Sequence, residues 1–385
     1  MNLVYIKNRR SVIFLFINGP HHVYHLIMPA LRFAKTNVDF DIKFISGNPR
    51  NTAIITETAK TLNITEFELI DIPLPLRYRF HNYKDKIYPP VYTRIKKIAH
   101  ILSKASAIVS TSHELPEHIH NHGITGPILF YLYHGTGTRA YGFESKLAMF
   151  DHIFVPGDYH LNRLRKELPL SNDKLIITGM PKLDWINSRR KNIDPLFCND
   201  NPIFYYNPHW DMKLSSYITW RKFILNFFSE NRNYNLIFSP HPLVKHLSEK
   251  QEYDIEGDET FFDNILIDHG SERSIDGTYN LMADVYVGDV SSMVTEWVKL
   301  MPRPCIFINA HNIDWVDNED YYFWNHGLVV SGHEKFPEFV DRTVRGNKYE
   351  NIQLKLRDEF IHHGEKTSSE LCAESMQTIL ENNRS

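Results

Sequence analysis

One stretch near the C-terminus restricts the possible folds more than any other, Ala283–Ala310, ADVYVGDVSSMVTEWVKLMPRPCIFINA. Its first part, Asp284–Asp289, is a short run rich in β-branched residues, which is typical of a buried parallel strand. A turn and a helical pattern follow, and Pro302 and Pro304 end that helix before a second apolar run, Cys305–Asn309. The stretch therefore predicts one β-α-β unit.

The serine pair of this unit, Ser291 and Ser292, falls where the strand ends and the helix begins. Free backbone N–H groups and the positive end of the helix dipole make such a position a natural anion site. The two side chains add hydroxyl donors, and Glu296 lies about one helical turn beyond Ser292. Two interpretations fit this pattern equally well: a cradle for a nucleotide diphosphate, or a serine that caps a structural helix.

The chain length predicts two domains, because 385 residues exceed the usual size of a single core. A polar run, Asn187–Asn201, is the expected boundary. We predict an N-terminal, acceptor-side domain at residues 1–190 and a C-terminal, donor-binding domain at 201–385 that includes the C-terminal helices. One of these helices is the amphipathic segment Ser368–Glu381. In two-domain α/β proteins, a C-terminal helix often crosses back to the first domain.

Both halves alternate strand-like and helix-like segments, with a first predicted helix at Tyr24–Lys35. This rhythm predicts an α/β fold with two doubly wound, Rossmann-type parallel sheets. The strands predicted before the β-α-β unit are Val12–Ile17, Phe40–Ser46, Glu66–Ile72, Ala107–Ser112, Pro127–Tyr133, His152–Val155, Lys174–Thr178, Ile203–Tyr206, Asn235–Ser239 and Ile265–Asp268.

Composition and charge narrow the class of protein. A net charge of -3 argues against bulk nucleic-acid binding. The three cysteines, Cys198, Cys305 and Cys372, are far apart and lack metal-like spacing, which indicates a reducing compartment. No stretch approaches the ~20 apolar residues that span a bilayer. We therefore expect a cytoplasmic protein.

The segment Arg77–Lys104 is strongly basic and rich in tyrosine. Against Asp85 alone it carries Arg77, Arg79, Lys84, Lys86, Arg94, Lys96, Lys97 and Lys104. One interpretation is peripheral contact with an anionic membrane, on the inner face of the cell membrane. The alternative is a solvated helix face with an adjoining loop.

A glycine-rich loop, Tyr133–Gly142, follows a predicted strand, at the end where open α/β sheets bind ligands. His134 opens this loop, and a histidine there can act as a general base toward a hydroxyl near neutral pH. Gly135 and Gly137 let a ligand approach the backbone, and Arg139 is a candidate anion ligand.

Three further loops follow predicted strands. In Phe238–Leu243, a proline on each side of His241 fixes the backbone. Such a restriction is energetically costly for an ordinary core residue. Thr178–Asp184 is a tight turn that carries Lys182, and Tyr206–Asp211 carries a histidine and an aspartate. The carboxyl ends of parallel strands share one edge of a sheet, so these loops are candidate parts of a binding site.

Together these motifs resemble the CDP-glycerol glycerophosphotransferases, the teichoic-acid-type transferases. The matches cover about residues 130 to 310 in the family's order. They are His134-Gly-Thr-Gly-Thr-Arg-Ala-Tyr-Gly142, Gly179-Met-Pro-Lys-Leu-Asp184, His241-Pro242 and Ala283 to Ser292 with its Asp and Ser-Ser.

The resemblance implies a GT-B architecture, with two doubly wound domains facing across a cleft. It also implies transfer of glycerol phosphate or a related polyol phosphate from a CDP-linked donor, with release of CMP and with no metal or other cofactor. The acceptor would be a hydroxyl of a glycan or a lipid-linked primer in cell-surface polymer synthesis.

The resemblance also assigns roles to individual positions. His134 would deprotonate the acceptor hydroxyl, and His241 would contact the donor phosphates as the second catalytic residue. Donor-binding positions would be Ser291, Ser292, Glu296, Asp289, Lys182 and Arg139. The chemistry agrees, because a pyrophosphate leaving group develops negative charge that helix amides, hydroxyls and a histidine can neutralise.

One departure from the family motif leaves the identity of the transferred group undecided. Where the family has Pro-Thr-Trp/Phe-Arg, this chain has Pro208-His-Trp-Asp211, and an acidic side chain would repel a phosphate. Two other functions therefore stay under consideration: a GT-B glycosyltransferase that uses a nucleotide sugar, CMP-linked or other, and a non-catalytic GT-B-like binding subunit.

Overall fold

The computed structural model describes residues 10–72, 91–138, 140–191, 193–244 and 262–383, and these residues divide into two units. Unit 1 takes the described parts of Met1–Gly135, Phe143–Trp185 and Ile361–Ser385, and unit 2 takes those of Thr136–Gly142 and Ile186–Phe360. The division differs from the sequence-based one at the C-terminus, because residues from Ile361 onward group with unit 1.

Unit 1 is built on a seven-stranded parallel sheet of order β3-β2-β1-β4-β5-β6-β7. Its strands are β1 (Arg10–Phe16), β2 (Phe40–Ser46), β3 (Glu68–Asp71), β4 (Ala107–Ser110), β5 (Ile128–Leu132), β6 (His152–Val155) and β7 (Leu175–Ile177). Their apolar side chains, such as Ile13, Ile108 and Ile153, are fully buried. The strand order reverses between β1 and β4, and ligands bind at such a reversal in open α/β sheets.

The helices of unit 1 follow the strands in alternation. They are α1 (Pro20–Thr36), α2 (Pro49–Thr61), α3 (Val91–Leu102), α4 (Leu115–Asn121), α5 (Asp158–Glu167) and the start of α6 (Pro181–Arg189). The predicted start of the first helix at Tyr24 is wrong by one turn. Pro20 occupies the first turn, where its fixed φ fits and its missing N–H is not needed. His21 and His22 therefore belong to α1.

The C-terminal helix, α12 (Ser368–Asn382), packs on α1 within unit 1. The carboxylate of Asp184 accepts hydrogen bonds from the backbone N and the Oγ of Ser369, at 2.7 and 2.6 Å. Gly179 has a φ of 83°, and a Cβ there would lie 2.3 Å from the Oγ of Ser368. The turn of the Gly-x-Pro-Lys-x-Asp motif thus holds the start of α12.

Unit 2 has a six-stranded parallel sheet of order β10-β9-β8-β11-β12-β13. Its strands are β8 (Ile203–Asn207), β9 (Asn235–Phe238), β10 (Ile265–Ile267), β11 (Val285–Gly288), β12 (Cys305–Ile308) and β13 (Leu328–Val330). Its helices are the end of α6, α7 (Tyr217–Glu230), α8 (Thr278–Met282), α9 (Met293–Leu300), α10 (Phe336–Arg345) and α11 (Glu350–Phe360). The predicted β-α-β unit is confirmed as β11-α9-β12.

A buried arginine fixes the end of that β-α-β unit. Arg303 donates to the carbonyls of Asn280 and Ala283 at 2.7 and 2.6 Å, and its guanidinium lies 3.5 Å over the Trp297 ring. The chain leaving α9 is therefore tied to the end of α8 before β12 begins. No part of the sequence pattern distinguishes Arg303 from an exposed arginine.

The basic segment is only partly within the described residues, because 77–90 lie outside them. Arg94 is not part of a basic surface, since it is buried and donates to the carbonyl of Ile17 at 3.2 Å. Lys96, Lys97 and Lys104 are exposed. Among the described helices, none combines the length and the apolar character that a bilayer crossing requires.

Candidate functional site

His134 lies just beyond the end of β5, next to the reversal in the sheet of unit 1. Its ring centroid is 4.2 Å from that of His22 and 6.5 Å from that of His25, both on α1. The hydroxyl of Tyr131 lies 3.4 Å from its Nδ1. The helix predicted from sequence begins at Tyr24 and does not include His22. The position of His22 beside His134 follows from the observed start of α1 at Pro20.

The protonation state of His134 suits a general base. Burial lowers its pKa to about 4, and His113 adds to this effect. A hydrogen bond from the ring to the backbone carbonyl of Thr111 acts in the opposite direction and fixes the ring. The imidazole is therefore neutral at pH 7 and able to accept a proton.

We call His21, His22, His25, His113 and His134 the histidine cluster. His22 and His25 are also neutral, since burial lowers the pKa of each well below its usual value, with the neighbouring histidines adding to the effect. The Nδ1 of His22 lies 2.9 Å from the hydroxyl of Thr111, just after β4. The cluster was missed in the sequence, although the pattern Asn18-Gly-Pro-His-His directly after a predicted strand is a signal that could have found it.

Lys182, for which a donor-binding role is predicted, lies in unit 1 and acts on the same histidines. It is only 4% exposed, at the start of α6. After burial itself, the charge of Lys182 is the largest cause of the lowered pKa of His25. The buried ammonium group therefore acts on the histidine cluster.

In unit 2, two histidines follow adjacent strands, His209 after β8 and His241 after β9, with ring centroids 6.3 Å apart. The Nδ1 of His241 accepts from the backbone N of Leu243 at 3.2 Å, and the Nδ1 of His209 accepts from that of Asp211 at 2.9 Å. Burial lowers the pKa of His241 to about 3, and His209 adds to this. A neutral ring whose Nδ1 accepts carries its proton on Nε2, so each such ring offers an N–H donor.

Asp289 holds the backbone of the loop that carries His209. It is buried directly after β11, and its Oδ2 accepts from the backbone N of His209 at 2.8 Å and of Ser216 at 2.9 Å. Burial raises its pKa to about 7, while these hydrogen bonds work against the shift. Asp289 thus holds the loop of His209 and the start of α7 against β11, and its predicted donor-binding role stays a prediction.

The serine pair lies at the amino end of α9, as predicted. The Oγ of Ser291 accepts from the backbone N of Met293 at 3.1 Å, and Ser292 is the exposed N-cap residue with no side-chain cap bond. Gly137 approaches this end of the helix, because a Cβ on it would lie 3.6 Å from the Cβ of Ser292. The Oγ of Ser291 therefore bonds the first amide of the helix, while the diphosphate cradle stays a prediction for which the exposed Ser292 is available.

Of the other predicted donor ligands, Glu296 is 6% exposed and faces Asn280 of α8, whose Nδ2 is 3.4 Å from its Oε2. Arg139 lies outside the described residues. The glycine-rich loop that begins at Tyr133 groups with unit 2 from Thr136 onward. The hydroxyl of Thr136 bonds to the hydroxyl of Thr295 on α9. In the described ranges, no group of three or more histidine, cysteine or acidic side chains is placed to hold a metal ion.

Comparisons with known proteins agree on the family and the fold. The sequence profile of the family described as CDP-Glycerol:Poly(glycerophosphate) glycerophosphotransferase matches residues 90–376. A search of curated protein sequences gives no significant match.

Solved structures match over nearly the whole chain. A variant of the wall teichoic acid polymerase TagF soaked with CDPG has a TM-score of 0.64 at 14% identity, over 97% of this chain and 89% of that one. A putative UDP-N-acetylglucosamine 2-epimerase from Listeria monocytogenes has a TM-score of 0.65 at 10% identity, over 97% of both chains. UDP-GlcNAc 2-epimerase from Neisseria meningitidis, bound to UDP-GlcNAc, has a TM-score of 0.58 at 11% identity, over 96% of this chain and all of that one. The predicted GT-B fold is confirmed.

Proposed function

The chain belongs to the CDP-glycerol:poly(glycerophosphate) glycerophosphotransferase family and is a transferase of polyol phosphate from a CDP-linked donor, and we propose that His134 is its base. The observation that carries this role is the half-buried, neutral imidazole of His134 at the end of β5, with its ring bonded to the carbonyl of Thr111. A base needs a neutral ring and a fixed orientation, and His134 has both.

The proposed reaction is a single displacement at phosphorus. The acceptor oxygen attacks the phosphorus that bears the polyol, the bond from that phosphorus to the oxygen of CMP breaks, and CMP leaves. The acceptor proton passes to His134 and then to solvent. The negative charge on CMP is stabilised by hydrogen-bond donors, so the proposed steps use no metal or other cofactor.

We place the donor's diphosphate at the carboxyl ends of β8, β9 and β11 in unit 2. The donors there are the Nε2–H groups of His209 and His241, the hydroxyl of Ser292 and backbone amides at the amino end of α9. The strand order of unit 2 reverses between β8 and β11, which is where open α/β sheets bind nucleotides.

Asp211 need not repel the donor. Its Oδ1 accepts from the backbone N of Lys213 at 3.0 Å, while its own backbone N fixes the ring of His209. The carboxylate therefore closes a turn, and the ring of His209 in the same loop is held at Nδ1 by the backbone N of Asp211. Glycerol phosphate or a related polyol phosphate fits this arrangement.

The function is tested by incubating the purified protein and a hydroxyl acceptor with CDP-glycerol, CDP-ribitol and a set of nucleotide sugars. We expect CMP to be released from a CDP-polyol in proportion to the polyol phosphate transferred. Turnover of a nucleotide sugar with no turnover of either CDP-polyol would contradict the proposal. A His134→Gln protein in the same assay separates enzymatic CMP release from contamination.

The donor group of unit 2 gives a second prediction. Replacing His209 by alanine removes one hydrogen bond to a charged group, so kcat/KM for the CDP-polyol should fall about 10- to 100-fold. Asp211→Asn is the matched control, because an asparagine can close the same turn, and it should change kcat/KM less than about 3-fold. A large gain on Asp211→Asn would instead mean that its charge opposes the donor.

A further inference from the structure

Unit 2 has a surface cavity of about 330 Å³ at the edge of its sheet opposite the donor group. It lies at the amino ends of two neighbouring parallel strands, where Cys305 begins β12 and Leu328 begins β13. These two residues and Pro304 form the apolar part of its lining. Ligand pockets start at about 300 Å³ and combine a mostly apolar surface with a few polar groups. The cavity therefore has room for one small molecule and an apolar surface to hold it.

Buried hydrogen bonds hold the walls of this cavity in place. The Nε2 of Gln353, a fully buried residue of α11, donates to the carbonyls of Arg303 and His326 at 3.0 and 2.8 Å. These carbonyls precede β12 and β13, so the starts of the two strands are tied together. The Nδ2 of Asn347 donates to the Oε1 of Gln353 at 2.8 Å, and the Oδ1 of Asn347 accepts from the backbone N of Tyr349 at 3.2 Å. The loop after α10 is thus anchored to the same glutamine, and the cavity is preformed.

Positive charge lines the same cavity. Arg342 and Arg345 belong to the last turn of α10 and Lys348 to the loop after it, and none of the described lining residues is acidic. Arg342 has the carboxylate of Glu338 3.7 Å away. Arg345 and Lys348 are exposed, and no carboxylate of the described residues forms an ion pair with either. Cations in a last turn complement the helix dipole without any ligand, but that role does not account for the apolar surface beside them.

We propose that this cavity binds a small amphipathic anion, an apolar body that carries one carboxylate or phosphate group. The body lies against Pro304 and Leu328, and the anionic head accepts hydrogen bonds from Arg345 and Lys348. Each buried methylene group contributes roughly 4-fold in affinity, and each exposed ion pair adds up to about 5-fold. The cavity therefore favours ligands that have both parts over ligands that have one. None of its residues belongs to the donor group or to the histidine cluster.

Calorimetry with the wild-type protein tests the ligand class. The probes are octanoate, whose aliphatic body is of the kind that lipids supply, and 2-naphthoate, whose body is that of a soluble aromatic acid. We expect at least one of them to bind with one molecule per chain. Acetate and the corresponding alcohol, 1-octanol or 2-naphthol, should bind at least about 10-fold more weakly. The tighter carboxylate identifies the source of the ligand. No binding of either carboxylate, or equal binding of a carboxylate and its alcohol, would overturn the proposal.

Two double variants test the residue assignment. Arg345→Gln/Lys348→Gln should weaken binding of the carboxylate about 10-fold, because two exposed cations are lost. Lys222→Gln/Lys335→Gln removes the same net charge at two exposed positions of unit 2 outside the cavity, and it should match wild type. Equal affinities of the two double variants for the carboxylate would overturn the role of Arg345 and Lys348.

NMR of the wild-type protein locates the ligand without relying on a variant's stability. The methyl signals of Leu328, assigned by comparison with Leu328→Ile, should shift as the carboxylate is added. Those of Leu164, in the core of unit 1, should not. Binding that leaves the Leu328 signals in place would put the ligand elsewhere and overturn the proposal.

Discussion

His134→Gln should lower kcat at least about 10²-fold with little change in the affinity for the CDP-polyol, because the acceptor hydroxyl loses its base while the donor group of unit 2 is untouched. Glutamine keeps a polar side chain of similar length but cannot take up a proton at neutral pH. Steady-state rates of CMP release, with donor binding measured by calorimetry, give the two quantities separately.

The matched control for this variant is His120→Gln, at an exposed histidine of α4 in the same unit, which should keep wild-type activity. The pH dependence adds a second check. Since the pKa of His134 in the free protein is about 4, kcat/KM should be nearly constant from pH 8 to 5, whereas an ordinary histidine would already be mostly protonated at pH 5. A His134→Gln protein with more than a tenth of wild-type kcat would contradict the role of His134 and favour the binding-subunit hypothesis.

The second large effect concerns stability. Arg303→Met should reduce the free energy of unfolding of unit 2 by about 2–4 kcal/mol, because each buried acceptor left without its donor costs about 1–3 kcal/mol. The carbonyls of Asn280 and Ala283 lose their donor in a buried setting, and the Trp297 ring loses the guanidinium stacked on it. The unfolding midpoint in urea, followed by intrinsic fluorescence, reports the change.

Arg342→Met serves as the control for charge and size. Arg342 is exposed and its carboxylate partner, Glu338, is 3.7 Å away on the same helix, so its loss should cost less than about 0.5 kcal/mol. If Arg303→Met costs as little as Arg342→Met, the guanidinium is not what ties α9 to α8.

The strand pattern of this chain is readable because parallel strands are buried on both faces and therefore appear as short β-branched runs. The predicted strand Phe40–Ser46 coincides with β2, and the β-α-β unit at Ala283–Ala310 is present as β11, α9 and β12. The short strand β13, Leu328–Val330, was missed.

Among the candidate site residues, the position of a residue after a strand was predictable, but the direction of its side chain was not. His134, His241 and the serine pair were found because each follows a buried strand, where ligands bind. Asp289 follows the same rule, yet it is buried and bonds to backbone groups of its own unit. A sequence motif does not show whether a carboxylate meets a ligand or a backbone amide.

The sequence by itself determined the alternation of strands and helices, the two sheets, the family and the histidines at the strand ends, because local pattern and chain order carry that information. Only the tertiary structure brought His22, His25 and Lys182 to His134. They come from segments separated by more than 100 residues, and only the packing of α1 and α6 at the carboxyl edge of one sheet places them together. The charge environment of the base is a property of that packing, since burial and neighbouring charges set a pKa and neither is written in the local sequence.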